Sequence, residues 1–295
     1  MHYSIQYLEE ISGIKAHTIR IWEQRYHLLK PKRTASNIRY YDDDQLRKLL
    51  NVTTLLEFGY KISHIADMSN AQLMQELKNK LEQGNDVMFF QHFTNELIIS
   101  SLNFDKPSFE KQFNSCVLKF GFVSTIEKVL YPTMKRVGVL WQLEEMNPSQ
   151  EHFISNLITQ KLHSAIDGLP EHVSASKKCI LFLPENEHHE IGLLYFNYLL
   201  TRSGIKTIYL GANVPLNSVK QAADQLNPSH LVLFMIKAAS PEQSNDYLKK
   251  LCKLFPAKQI VLCGSPPVLQ TVRKLNNLVL IDNPDNSKKY FNLHH

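Results

Sequence analysis

The sequence predicts a multidomain protein: an all-α winged helix-turn-helix segment, a four-helix bundle and a doubly wound α/β domain with a parallel sheet. Three observations predict this class. A basic segment with helical periodicity comes first, four apolar-periodic segments follow, and strand-like and helix-like segments then alternate after Gly168-Leu169-Pro170. We place the domain boundaries at residues 1–75, 76–170 and 171–295.

The first segment has the spacing of two short helices. Ile5, Leu8 and Ile11 give an apolar face, Ser12-Gly13 predicts a turn, and Thr18–Tyr26 predicts a second helix that can enter a major groove. Between Lys15 and Arg39 there are seven Lys or Arg residues and one acid, Glu23. Such a cluster neutralises phosphates and releases counterions, which predicts binding to double-stranded DNA.

The runs Thr18–Tyr26, Leu29–Arg33 and Asn37–Tyr41 carry a resemblance to the winged helix-turn-helix of MerR-type transcription regulators, in register from Tyr3 to about Met68. The resemblance implies a homo-oligomer, either a dimer or a tetramer, on an operator. We expect the arginines to contact the DNA backbone and grooves, Thr18 or His17 to reach base edges, and the tyrosines to brace the wing. The candidate DNA-interface residues are Thr18, Arg20, Trp22, Arg25, Arg33, Arg39, Tyr40 and Tyr41.

Helical periodicity continues through the middle of the chain. A helix over Asp42–Phe58 backs the wing, a short helix follows at Ile62–Met68, and Gln72–Asn85 connects to the next domain. Breaks at Asn103, Asp105-Lys106-Pro107, Gly121 and Asn147-Pro148 then separate four apolar-periodic segments, which predict the bundle: Phe89–Leu102, Phe109–Phe120, Val123–Leu140 and Ser149–Ile166.

The last part of the chain alternates between strands and helices. Helices begin near Glu190, Leu216, Pro241 and Pro266. This alternation predicts a flavodoxin-like domain with a buried parallel sheet. The predicted strands are Lys178–Leu183, Thr207–Leu210, Leu231–Ile236, Ile260–Cys263 and Leu278–Ile281.

A polar loop, Glu187-His188-His189-Glu190-Ile191-Gly192, follows the first of these strands, where open α/β sheets bind ligands. Its spacing resembles the Asp-x-His-x-x-Gly signature of cobalamin-binding domains, with Glu187 in place of Asp. The resemblance implies that His189 ligates cobalt in place of the cofactor's own base, with Glu187 orienting the imidazole and Gly192 completing the signature. The alternative is a polar loop with two solvated histidines.

A second motif is Trp141-x9-Glu151-His152. It resembles the cap of light-sensing MerR regulators of the CarH/LitR type, in which the Trp and Glu cover the upper axial group of adenosylcobalamin. Gln142 stands where those relatives have a His that can take the upper cobalt position after photolysis. No other strong upper ligand is evident from the motif, and His152 and His163 are the candidates to replace it. The alternative for Trp141 is a core or interface role.

Two elements depart from the cobalamin family. No serine occurs near Phe234-Met235-Ile236-Lys237, where the family has Ser-x-Leu or Ser-x-Thr, and Gly264-Ser265 replaces its Gly-Gly. In the family these elements line the pocket that takes the displaced base, so Gly264 is the remaining candidate contact there.

Composition limits the location of the protein. The 295 residues are 43% hydrophobic, with a formal net charge of +5 and no apolar run long enough to span a bilayer. The cysteines are scattered, which favours reduced thiols in the cytoplasm over disulfides or a zinc site. The sequence thus gives no sign of a membrane partner.

Three functional hypotheses follow. The first is a transcriptional regulator, expected to be a repressor, whose oligomerisation and operator binding depend on adenosylcobalamin and possibly light. The second is a MerR-type regulator whose C-terminal domain has lost cobalamin and binds another ligand or protein. The third is a cobalamin-dependent methyltransferase or mutase module, which would need a substrate domain or a zinc-thiolate site that the sequence does not show. We therefore expect a non-enzymatic regulator.

Overall fold

The computed structural model describes residues 2–83, 86–143, 146–170, 174–236 and 240–293. The chain divides into two units, Met1–Ser155 and Asn156–His295, with the division inside one long helix. The boundaries drawn from the sequence at 75/76 and 170/171 remain predictions.

The first unit begins with a winged helix-turn-helix arrangement. The Ser4 hydroxyl accepts from the Tyr7 amide at 3.0 Å to start the first helix, and Gly13, with φ 72°, ends it. The two wing strands pair antiparallel, with Arg33 opposite Arg39. The elements are α1 Ile5–Ser12, α2 Ala16–Tyr26, β1 Lys32–Arg33, β2 Arg39–Tyr40, α3 Asp43–Glu57, α4 Ile62–Ala66 and α5 Asn70–Gln83.

Longer helices complete the helical region. They are α6 Asp86–Leu102, α7 Lys106–Thr125, a π-helical stretch Ile126–Leu130, α8 Tyr131–Gln142 and α9 Pro148–Asp167. The predicted break at Gly121 is present as a kink inside α7, where the backbone has φ 79° and ψ 164°. The sequence did not predict the π-helical stretch, which joins α7 to α8 without a loop.

The second unit contains a five-stranded parallel sheet with strand order β4-β3-β5-β6-β7, as in a flavodoxin-like fold. Three strands are longer than predicted: β3 has 11 residues, β4 has 10 and β6 has 6. The helix predicted at Pro266 is only four residues long. The elements are β3 Ser174–Pro184, α10 Glu190–Arg202, β4 Ile205–Val214, α11 Leu216–Leu226, β5 His230–Met235, α12 Pro241–Leu254, β6 Gln259–Gly264, α13 Pro266–Leu269, β7 Leu278–Ile281 and α14 Pro284–Phe291.

The sheet is buried on both faces. Along β3, Ile180 and Phe182 join one apolar cluster, whereas Cys179, Leu181 and Leu183 join the other. Successive strand side chains point to opposite faces, so an uninterrupted apolar run supplies both. The apolar run of β3 ends at Pro184, and the polar loop beyond it lies at the carboxyl end of the sheet, where ligand-binding groups can gather.

The thiols of this protein are buried. Cys116, Cys179, Cys252 and Cys263 are all in the interior and form no disulfide. Burial raises the pKa of Cys179 to about 12, so this thiol stays protonated near neutral pH. No helix among the described residues is long and apolar enough to cross a membrane.

The kink at Gly121 gives a prediction about stability. A Cβ at Gly121 would meet no atom within 4 Å, so Gly121→Ala tests backbone strain alone. Because φ 79° with ψ 164° is a conformation almost restricted to glycine, we expect the free energy of unfolding to fall by ~1–3 kcal/mol.

Gly138→Ala is the matched control, since Gly138 lies inside α8 and a Cβ there also meets nothing within 4 Å. This change should stabilise the helix by ~0.5–1 kcal/mol, measured by urea unfolding. Equal effects of the two substitutions would contradict the strain assigned to Gly121.

Candidate DNA interface and ligand loop

Helix α2 turns a polar face to solvent and an apolar face to the core. Arg20 and Arg25 are exposed and Thr18 is half-buried, while Ile19 and Trp22 are buried. His17 Nε2 lies 3.3 Å from the Thr18 hydroxyl, so both residues that were predicted to reach base edges sit together on this face. The exposed face has the geometry of a recognition helix.

A buried carboxylate joins α2 to the wing. The Tyr41 hydroxyl donates to Oε1 of Glu23, and Nε of Arg39 lies 3.6 Å from Oε2 of the same residue. Burial raises the pKa of Tyr41, and the hydrogen bond to Glu23 raises it further, so the phenol stays a neutral donor. Glu23 therefore fixes the position of β2 relative to α2.

The wing is also tied to the start of the chain. Tyr3 and Tyr41 exchange two backbone hydrogen bonds, at 2.8 and 2.9 Å, and the Tyr3 hydroxyl donates to Oδ1 of Asp43 at 2.6 Å. At the exposed wing tip, Nη1 of Arg33 donates to Oδ1 of Asn37 at 2.7 Å. Tyr40 is half-buried in β2.

Burial divides the candidate DNA-interface residues into two groups. Thr18, Arg20, Arg25, Arg33, Arg39 and Tyr40 are at least partly accessible, and Glu23, the one acid between Lys15 and Arg39, is buried. Trp22 and Tyr41 lie in the core. The burial of Trp22 gives it a supporting place beneath α2 rather than a direct DNA contact, and Tyr41 keeps the wing-bracing role expected for it.

Polar contacts that the sequence did not predict link α3 to the longer helices of the same unit. Nη1 of Arg47 lies 3.5 Å from Oε2 of Glu96, and Nη1 of Arg136 donates to Oδ1 of Asn95 at 2.7 Å. Burial lowers the pKa of Arg136, whereas the Glu57 carboxylate of α3 favours its charged form. The only sequence signal was a pair of polar residues, Asn95-Glu96, directly before the apolar Leu97-Ile98 of α6.

The ligand loop, Glu185–His189, connects β3 to α10. Its buried centre is the Glu187 carboxylate, whose side chain is only 6% exposed. Oε1 accepts from the backbone amides of His188 at 2.9 Å and His189 at 3.2 Å, and Oε2 accepts from the amide of Ile236 at 2.9 Å. A carboxylate that accepts several N–H groups in this way is held in a single orientation.

Both strands that neighbour β3 hold this loop. Ile236 directly follows β5, and Asn213 near the end of β4 donates its amide to the Glu187 carbonyl at 3.2 Å. The Asn213 side chain in turn accepts from the Asn186 amide at 2.9 Å. The sequence analysis missed Asn213 and Ile236, although two asparagines that tolerate the positive φ seen at 186 and 213 were a signal.

The His189 imidazole is oriented for ligation. Its Nδ1 lies 2.5 Å from Oε1 of Glu187, and the side chain is 56% exposed. Since Nδ1 is engaged, ligation by this ring would use Nε2, with the carboxylate fixing the tautomer and raising the basicity. This donor fits cobalt in a corrin ring, which itself supplies the equatorial nitrogens. Among the described residues there is no cluster of three or more His, Cys, Asp or Glu that could hold a bare metal ion.

The backbone is closely packed at Gly192, which completes the His189 signature, and at Gly264, which lies in an element that takes the displaced base in the cobalamin family. A Cβ built on Gly192 would lie 2.7 Å from the Phe234 ring, and one built on Gly264 would lie 2.5 Å from the Met235 carbonyl oxygen. The hydroxyl of Ser265 donates to the Ile236 carbonyl at 3.0 Å. Lys237 lies outside the described residues, and the described residues of this stretch contain no serine hydroxyl.

The predicted cap residues belong to α8 and α9. Trp141 is 50% exposed, and Val139 and Leu143 beside it are also exposed. Nδ1 of His152 lies 2.9 Å from Oε2 of Glu151. The Gln142 side chain lies outside the described residues.

Comparison with known families agrees with these features. Residues 3–72 match the model of the MerR HTH family regulatory proteins, and residues 94–164 match the model of a B12 binding domain. The second match contains Trp141, Glu151 and His152.

Two curated relatives come from Myxococcus xanthus. The HTH-type transcriptional repressor CarH is 26% identical over 258 residues, covering 86% of this chain and 85% of the relative. The repressor CarA is 26% identical over 261 residues, covering 87% and 85%.

Among solved structures, the monomethylamine corrinoid protein of Methanosarcina barkeri superimposes with a TM-score of 0.55 at 19% identity. The match covers 68% of this chain and 97% of that protein, which shows a shared fold. The chain therefore combines a MerR-family helix-turn-helix domain with a B12-binding domain, and over most of its length it is homologous to the CarH and CarA repressors.

Proposed function

We propose that this protein is a transcriptional regulator whose binding to operator DNA responds to a corrinoid ligated by His189. The observation that carries the proposal is the Glu187–His189 pair, in which a buried carboxylate orients an accessible imidazole at the carboxyl end of β3. The curated relatives are named as transcriptional repressors, which supports a non-enzymatic role and repression for this chain. Its proposed location is the cytoplasm, where operator DNA is accessible in a bacterial cell.

The DNA-facing part of the proposal uses the accessible residues of α2 and the wing. Arg20, Arg25 and Arg33 provide positive charge, and Thr18 lies on the face that would enter the groove. MerR-type domains act as pairs on inverted half-sites, so we propose a dimer or a tetramer as the binding unit.

The ligand-facing part uses His189 below the corrin ring and, for the upper face, Trp141 and Glu151. We propose adenosylcobalamin as the form sensed, since an exposed Trp suits an apolar contact with a nucleoside. Bound adenosylcobalamin would supply a cobalt–carbon bond that visible light cleaves.

Coupling between ligand and DNA has a structural route within the first unit. Arg136 lies on α8, which also carries Trp141, and contacts Asn95 of α6, while the neighbouring Glu96 faces Arg47 of α3. A displacement of α8 would disturb partly buried polar contacts that reach the helix behind the wing. Buried, partnered polar groups favour discrete arrangements, which suits a switch.

The second candidate is a MerR-type regulator whose C-terminal domain binds a different ligand or a protein. It is favoured by the close contact between the Phe234 ring and Gly192, which leaves no room for even one further carbon atom at that point. The absorption spectrum of adenosylcobalamin mixed with the protein separates the candidates, because a shifted, stoichiometric spectrum supports the first and an unchanged spectrum supports the second.

The first prediction from this proposal concerns Arg20. Arg20→Ala should weaken binding to all DNA sequences and reduce the slope of log affinity against log salt by about 1, because one phosphate contact is lost. Lys250→Ala, which removes an exposed cation from α12, is the control and should leave both quantities unchanged. Wild-type affinity and slope in an Arg20→Ala, Arg33→Ala double variant, measured by fluorescence anisotropy, would show that the interface lies elsewhere.

The second prediction concerns the lower ligand. His189→Ala should lower corrinoid affinity and shift the bound spectrum toward that of a water-ligated or base-ligated corrinoid, because the imidazole donor is lost. His188→Ala is the matched control, since in the ligand loop only its backbone amide contacts Glu187. Glu187→Gln should give an intermediate loss, because the amide holds Nδ1 less strongly. Equal losses in His188→Ala and His189→Ala would contradict the assignment.

The third prediction concerns light. With adenosylcobalamin bound, illumination should dissociate the oligomer into smaller species and weaken the DNA complex. The reason is that light removes the adenosyl group, which Trp141 and Glu151 are proposed to contact. Size-exclusion chromatography and gel shift in dark and light measure both, with hydroxocobalamin as the control ligand that lacks the adenosyl group. If the elution volume and the DNA affinity were the same in dark and light while adenosylcobalamin was bound, the light response would be contradicted and corrinoid sensing would stand.

A further inference from the structure

Phe234, at the end of β5, fills the space beside the first turn of α10. A Cβ built on Gly192 would lie 2.7 Å from Cε1 and 2.8 Å from Cδ1 of the Phe234 ring. Real Cβ contacts are not that short, so the ring lies directly against the bare backbone of the glycine. The opening that a glycine leaves at the start of a helix is closed here by an aromatic side chain.

Other aromatic residues hold the Phe234 ring in this position. The ring packs edge to face on Phe196 of α10, with centroids 5.9 Å apart, and Phe196 packs in the same way on Phe291 of α14 at 5.6 Å. Phe196 and Phe291 are buried. The Phe234 ring is thus the outer member of an aromatic cluster, and moving it would break core contacts.

The paired strands β5 and β6 also approach each other closely at their carboxyl ends. A Cβ on Gly264 would lie 2.5 Å from the Met235 carbonyl oxygen, so the two backbones are already in contact there. The Ser265 hydroxyl donates to the Ile236 carbonyl at 3.0 Å and joins the two strand ends further. On the β5 side of His189, the described residues therefore form no cleft between backbone segments that could hold a flat heterocycle such as a nucleotide base.

The close packing around Phe234 and Gly264 affects which corrinoids could bind. In a cobalamin the nucleotide base hangs from the same face of the ring that a protein imidazole would ligate. Once His189 has displaced the base, the base must be placed on the imidazole side of the ring, which is the side of the sheet edge. Without a receiving cleft, the cost of displacing the base is not compensated by new contacts.

We propose that Phe234 is a specificity-determining residue that excludes the nucleotide base, so that His189 favours corrinoids without a base over complete cobalamins. This inference rests on the proposed corrinoid-binding function and specifies its ligand class. The protein would recognise the corrin ring and its upper group. A complete cobalamin such as adenosylcobalamin would still bind, but more weakly, because its displaced nucleotide base would stay in solvent.

The experiment compares cobinamide, which has no nucleotide base, with cobalamin, both with water as the upper ligand, on the full chain. Equilibrium dialysis and absorption spectra give both dissociation constants without any activity assay. The wild-type protein should bind cobinamide roughly tenfold more tightly than cobalamin. Phe234→Ala should narrow or reverse this preference by opening the cleft, and Phe234→Leu, which keeps most of the bulk, should retain it.

The outcomes separate this inference from the proposed function. A wild-type protein that binds cobalamin roughly tenfold more tightly than cobinamide would overturn the role of Phe234 while supporting corrinoid binding through His189. Binding of neither ligand by a folded wild-type protein would contradict the proposed function and, with it, this inference. Because the wild-type comparison is decisive, the test does not depend on the stability of Phe234→Ala.

Discussion

The Glu187 carboxylate is the interaction on which the ligand loop depends. It lies where strand order reverses between β3 and β5, and it accepts the amides of two successive loop residues and of Ile236 beyond β5. A buried anion that is not compensated is costly, and here three backbone donors and one imidazole nitrogen compensate it. The hydrogen bonds that stabilise the buried charge of Glu187 also fix the orientation of the His189 imidazole. The stability of the loop and the orientation of this candidate cobalt-ligating side chain therefore have one cause.

Buried glutamates organise the first unit by the same principle. Glu23 joins the recognition helix to the wing through Tyr41 and Arg39, and Glu96 faces Arg47 between α6 and α3. Burial raises the pKa of Glu96, and the positive charge of Arg47 opposes this shift. Such groups contribute little net stability compared with apolar packing, but they penalise alternative arrangements that would leave a charge unpartnered.

The sequence predicted the elements whose signals are local. The apolar runs gave all five strands of the sheet, and the spacing of Glu187 and His189 gave the pair that the structure brings to 2.5 Å. The predicted strand β4 ended at Leu210, because Gly211 and Asn213 are residue types typical of a turn. In the structure the strand continues, and Gly211 lies within it with φ 83°. The Ile236 amide could not be predicted as a partner of Glu187, because that contact depends on strand order rather than on neighbouring residues.

The π-helical stretch Ile126–Leu130 sets which way the rest of its helix faces. A π-turn contains one residue more than an α-turn, and one residue corresponds to a rotation of about 100° around the helix axis. Arg136 and Trp141 both lie downstream of this stretch, on α8. The extra residue of the π-turn therefore sets which side of α8 carries the inward-pointing arginine and which carries the outward-pointing tryptophan. If a regular α-turn joined the same α8 sequence to α7, a different side of α8 would face solvent and a different side would face α6.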